Sequence, residues 1–177
     1  FYYLIIAKKV KDAFCMEEVK AYFAIFTAAT LLIAFNILSQ MGNVGDSLRH
    51  AAFQVASIMT TTGFATTDFD QWPEFSRTLL VMLMFIGACA GSTGGGIKVS
   101  RILMYMKTIK KELGILIHPR SVKIVMMDGK KLDHPVVRAA NIFLISYAGI
   151  LVASILLLTI DNYDFTTNVT AGILPIK

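Results

Sequence analysis

Residues 53–69 read FQVASIMTTTGFATTDF. A short apolar stretch runs into three threonines, a glycine and a phenylalanine, with no lysine or arginine to mark an ordinary water-facing boundary. The preceding segment, residues 46–60, is apolar enough to enter a bilayer. As a helix it reaches only roughly 22 Å, short of the ~30 Å hydrocarbon core. Such a segment crosses poorly, so the location of its two ends decides the architecture.

The flanks place both ends on one side. Residues 21–41, AYFAIFTAATLLIAFNILSQM, carry no charge and match the length of a bilayer core. Residues 136–160 carry only Arg138, close enough to an end to snorkel. Between them, residues 75–90 are apolar after Arg77, and are followed by GSTGGG and a basic segment. Lys8, Lys9, Lys11 and Lys20 precede the first span, and lysine and arginine outnumber Glu112, Asp128 and Asp133 across residues 98–138. Both regions are expected in the cytoplasm, by the excess of positive charge on that side of membrane proteins. Residues 42–74 instead hold Arg49 against Asp46, Asp68, Asp70 and Glu74, and Asp161 and Asp164 follow the last span. These are expected outside. Three crossings result, and residues 46–60 become a re-entrant helix that dips in from outside and returns as extended chain.

The composition agrees. The chain has 177 residues, is 55% hydrophobic and 16% charged, and concentrates its apolar residues in long runs, which sets it apart from soluble domains. The formal charge of +5 lies beside the spans without interleaved aromatic platforms, so it reports topology and excludes a nucleic-acid partner. Cys15 and Cys89 fit neither a disulfide framework nor a metal cluster and are expected to be redox-silent. No cleavable leader is evident: residues 1–7 look like the end of an earlier helix, and the absence of an initiating methionine suggests a piece of a longer protein.

Non-helical backbone at membrane depth survives only where protein buries it or where it lines a watery path. TTTGF is therefore expected to face such a path. Extended chain after a short helix can aim consecutive carbonyl oxygens inward, and threonine adds a hydroxyl oxygen; together they replace the hydration shell of a monovalent cation. Gly63 permits torsions that a side chain forbids. The helix C-terminus is partially negative and favours a cation. A plainer reading has Thr60, Thr61 and Thr62 capping a helix and Gly63 turning an outer loop. The position between two opposed spans favours the pore loop.

The second break, GACAGSTGGGIKVSR, raises the question of phosphate binding. The phosphate-loop pattern needs glycine, lysine and serine or threonine in succession, whereas Ile97 separates Gly96 from Lys98 and Val99 follows. A close helix crossing is the simplest alternative, but four glycines with Ser92 and Thr93 exceed what a crossing needs. Gly91, Ser92, Thr93, Gly94, Gly95 and Gly96 are expected to form a polar intramembrane gate, with Lys98 at its inner end either binding a carbonyl or acidic partner or resting at the lipid interface.

Helix, short re-entrant helix, TTTGFATTDFDQWP, helix and GACAGSTGGGIKVSR together resemble the TrkH/KtrB/HKT superfamily of potassium transporters, in its bacterial TrkH/KtrB branch. The resemblance implies an all-α membrane protein with four helix, pore-loop, helix repeats around a pore. Residues 1–20 would be the end of one repeat and its cytoplasmic connection, 21–117 a complete repeat, 118–135 a cytoplasmic loop, and 136–177 the truncated start of the next. It implies that Thr60, Thr61, Thr62, Gly63 and Phe64 form one quarter of a potassium filter, with the ion held through Thr61 and Thr62. It also implies the gating role of residues 91–96, a homodimer in the cytoplasmic (inner) membrane, and a nucleotide-binding regulatory subunit of TrkA/KtrA type on the basic face. Potassium is the substrate; no cofactor and no enzymatic chemistry are implied. The competing readings are a secondary transporter with broken helices and a midmembrane substrate site, and a membrane-anchored nucleotide-binding protein.

Alternation of Val122, Ile124 and Met126 before Asp128-Gly129 predicts a small cytoplasmic hairpin. His118 and His134, each before proline, read as loop residues rather than metal ligands, and His50 is placed on the outer part of the short helix.

Overall fold

The computed structural model describes residues 14–92, 94–118, 124–161 and 170–173. The expected end of an earlier helix at residues 1–7, Lys8, Lys9 and Lys11, Thr93 and Val122 lie outside them.

Helix α1, Glu17–Met41, contains neither proline nor glycine and spans about 38 Å, enough to cross a bilayer. It stops at Gly42, whose left-handed φ of 66° lets its N–H reach the Leu38 carbonyl. Asn43 then opens α2, Val44–Met59, by accepting the Gly45 N–H through its side chain. A two-residue link of this kind forces α2 back alongside α1. Ala29, Ile33 and Ile37, spaced on one face of α1, bury against Ala51, Val55, Ile58 and Met59 of α2 and Leu80 and Leu83 of the next helix. The opposite face of α1, including Leu31, Leu32 and Phe35, is bare, as a lipid-facing surface would be.

At about 24 Å, α2 is shorter than the hydrocarbon core. Beyond Thr60 the chain reverses, and three hydrogen bonds track its return. Ser57 Oγ donates to the Phe64 carbonyl at 2.5 Å, His50 Nδ1 pairs with Thr66 Oγ1 at 2.9 Å, and Gln40 Nε2 donates to the Gln71 carbonyl at 3.3 Å. The partners step from the tip of α2 to the end of α1, so the chain comes back to the level from which α2 set out. The expected re-entrant loop is the observed one. A single 3-10 turn, Phe69–Gln71, and buried Trp72 close it.

Helix α3, Glu74–Phe85, runs back along α1, fastened by Ser76 Oγ donating to Asn36 Oδ1 at 2.7 Å in a fully buried position. It ends earlier than the apolar run to Ala90 predicts. Gly87 donates to the Ile97 carbonyl at 2.9 Å and Ile97 to the Phe85 carbonyl at 3.0 Å, pairing Ile86 with Ile97 in parallel. The chain thus makes a closed loop and resumes its course. A side chain at Gly87 would put Cβ 2.1 Å from the Gly95 carbonyl oxygen, so only glycine permits the closure.

Helix α4, Val99–Ile117, follows, then the hairpin of β1, Met126–Met127, and β2, Lys130–Lys131, with Asp128 and Gly129 both at positive φ as the sequence predicts. Helix α5, His134–Leu158, is long and apolar enough to span. His134 is its first residue rather than part of the preceding loop, because Asp133 and Pro135 suit a helix start. Its contacts with α4 include Tyr105 donating to the Ala140 carbonyl and Arg101 lying 3.8 Å over the Phe143 ring. Residues 170–173 fold back on α5, with Gly172 against Ile155.

Candidate functional site: the threonine turn and the glycine loop

Residues 60–64 end α2 in a paired-bond C-cap. The Thr61 N–H donates to the Ile58 carbonyl at 3.2 Å and the Thr62 N–H to the Ser57 carbonyl at 2.9 Å, the two bonds that define a Schellman motif. Glycine normally occupies the left-handed position, yet here Thr61 does, at φ 58°. For a β-branched residue this costs roughly 1–3 kcal/mol. The capping in the plainer reading is observed, and it occurs at the tip of a loop whose chain turns back.

The hydroxyl protons can be followed one by one. Thr60 Oγ1 donates to the Ala56 carbonyl at 2.7 Å, and Thr61 Oγ1 donates to the Thr60 carbonyl at 2.6 Å. Thr60 has only one proton, so in its 2.7 Å contact with Thr62 the Thr62 hydroxyl is the donor. All three protons are spent inside the turn, and the Thr61 and Thr62 oxygens keep lone pairs free. The Thr60 carbonyl is occupied by Thr61 and the Phe64 carbonyl by Ser57. Among the described residues no donor meets the carbonyls of Thr61, Thr62 and Gly63. Gly63 continues the turn at φ 82° with open space around its Cα. All five residues are exposed in this chain, Phe64 included.

The glycine loop comes to the same place. A methyl on Gly94 would lie 3.8 Å from Thr61 Oγ1 and 3.4 Å from Ala88 Cβ, so the two segments meet with almost no side chain between them. Gly91 and Gly96 take left-handed φ values of 84° and 77°. Ser92 Oγ donates to the Cys89 carbonyl at 2.8 Å, and Lys98 Nζ reaches back to the Ser92 carbonyl at 3.2 Å. Of the sequence-based options for Lys98, carbonyl binding is the observed one. Thr93 falls outside the described residues.

Sequence reasoning passed over two residues. Gly87 closes the loop, and an isolated glycine in an apolar run was its signal. Glu18 is 6% exposed, and its Oε1 accepts the Ala90 N–H at 2.6 Å and the Ser100 N–H at 3.2 Å. An acidic residue within three positions of an uncharged span was the signal there.

The chain thus pairs a short helix that turns back with free backbone oxygens at its tip and a helix broken by a glycine loop, between two helices long and apolar enough to span a membrane. The family model described as "TrkH: Cation transport protein" matches residues 19–170, and the chain belongs to that family. It is 44% identical over 119 residues to the Trk system potassium uptake protein TrkH of Vibrio parahaemolyticus, covering 67% of this chain and 24% of that protein. It is 37% identical over 139 residues to its namesake in Salmonella typhimurium, covering 76% of this chain and 29% of the relative. The crystal structure of the potassium transporter TrkH from Vibrio parahaemolyticus superposes with a TM-score of 0.82 at 36% identity, over 90% of this chain and 35% of that one. The chain thus spans about a third or less of the length of these relatives.

Proposed function

We propose that this chain is one helix, pore-loop, helix repeat, with the beginning of the next, of a protein that takes up potassium across the cytoplasmic membrane. The observation that carries the reading is the set of oxygens at the tip of α2: free carbonyls at Thr61, Thr62 and Gly63, beside hydroxyl oxygens of Thr61 and Thr62 whose protons are turned into the protein. Potassium sheds its hydration shell only where several such oxygens replace it. Thr60 and Phe64 frame the segment by anchoring its two ends. The names of the relatives support potassium as the ion.

The glycine loop acts as the gate. It lies against Thr61, bears little side-chain bulk, and is pinned by a few hydrogen bonds, so it obstructs the path below the filter and can move aside. Lys98 staples it through Ser92. One threonine turn is one part of an oxygen ring, and the remaining repeats of a full-length chain supply the others. A homodimer in the inner membrane, with a nucleotide-binding regulatory subunit of TrkA/KtrA type on the basic cytoplasmic face, completes the assembly.

Expression of the full-length protein in cells lacking their own potassium uptake tests the reading. Growth at low external potassium should return, and alanine at Gly63 should weaken the preference for potassium over sodium. Uptake that fails to return while the protein reaches the membrane counts against it.

A further inference from the structure

Glu18 sits at the inner end of α1, in a stretch whose other ionisable residues face water or each other. Its carboxylate is buried, and one oxygen receives two backbone N–H groups from distant parts of the chain: Ala90, where the glycine loop starts, and Ser100, in the first turn of α4, where it finishes. Between these two points lies the whole of the segment assigned to the gate. The carboxylate therefore holds the two feet of the loop together and to α1. An ionised acceptor makes these bonds about twice as strong as neutral ones, and the N-terminal turn of α4 adds favourable dipole. The neighbouring residue is fixed from the other side. Glu17 pairs with Lys107 of α4, its N–H donates to Asp128 Oδ1 of the hairpin at 2.8 Å, and Lys107 Nζ also donates to the Met126 carbonyl at 2.8 Å. The backbone carrying Glu18 is thus held in place by the cytoplasmic face.

We propose that Glu18 is a positioning residue of the gate, a latch that keeps the glycine loop in the obstructing place beneath Thr61. This rests on the gate reading above. It makes no contact with the ion and acts only through the loop.

Cys89, next to the latched Ala90 and partly buried, reports loop position independently of flux. In the full-length protein with Cys15 and any further cysteine other than Cys89 replaced by serine, Glu18→Ala should speed modification of Cys89 by a small thiol reagent and raise basal potassium flux at least roughly tenfold, because two charge-assisted hydrogen bonds are lost and one alone shifts an equilibrium by about that factor. Glu18→Gln keeps an acceptor oxygen and should fall between parent and alanine in both readouts, with the potassium-to-sodium ratio unaltered. Should the alanine variant fail to assemble, the glutamine variant carries the test by the same two readouts. Unchanged Cys89 reactivity overturns the latch. Faster Cys89 modification without a rise in flux keeps the latch and removes the gate.

Discussion

At the scale of single residues, the site is made by positions that accept an awkward backbone. Thr61 and Gly63 both sit at positive φ within three residues, which aims successive peptide groups in directions a helix or strand would not allow. Gly63 has nothing within 4 Å of where a Cβ would stand, so Gly63→Ala meets no clash and costs only torsion, roughly 1–2 kcal/mol. The backbone is expected to relax and move the Gly63 carbonyl. The potassium-to-sodium permeability ratio, measured by reversal potentials in the full-length protein, should fall severalfold while surface expression holds. Gly87 is the opposite case. Its missing Cβ is replaced by the Gly95 carbonyl oxygen at 2.1 Å, so Gly87→Ala must push the two sides of the loop apart. Basal flux should rise in this variant with selectivity kept, because the threonine turn is untouched; flux at the parental level would show that the loop's closure does not govern passage.

At the scale of elements, length and periodicity made the architecture readable. The uncharged run before Gly42, the half-length α2, the last span and the Asp128-Gly129 turn all follow from local signals, and the charge asymmetry put both ends of the returning loop on one side. The end of α3 was not readable in the same way. Residues 86–90 are apolar with only Gly87 to interrupt them, and what stops the helix is pairing between Ile86 and Ile97 across the loop, a closure with no local signature. Glu18 was hidden for a related reason: its partners are backbone groups 72 and 82 positions away, so no motif contains them. Residues 60–64 and 91–96 could be picked out from sequence as candidates, but the meeting of the two segments at Thr61 and Gly94 could not. Two predictions belong here. Removing Gly94 and Gly95 shortens the loop and should raise basal flux; an unaltered open probability would contradict a gate. Replacing Ser76 by alanine removes the bond to Asn36 that fastens α3 to α1. Interhelical hydrogen bonds in membranes average about 0.6 kcal/mol and reach about 1.7, so a loss in that range should appear in unfolding of the detergent-solubilised protein, without a change in selectivity.

At the scale of the whole molecule, the described helices form a tight group of α1, α2 and α3, with α4 tied to the N-terminal end of α1 and α5 held to α4 by Arg101 and Tyr105. Ile145, Leu156, Leu157 and Ile160 leave the far side of the last span bare, and the threonine turn itself is open. Both surfaces fit a chain seated in lipid, and under the function proposed above the open turn would complete its ring of oxygens with further repeats. Expressed by itself, this chain should insert in membranes without supporting potassium flux; the full-length protein should conduct. The most direct test is to locate the ion. Crystals of the full-length protein soaked in rubidium, a heavier stand-in for potassium, should show an anomalous peak within bonding distance of the Thr61, Thr62 and Gly63 carbonyl oxygens. A pore occupied by rubidium elsewhere, with none at those oxygens, would contradict the assignment of this turn as filter.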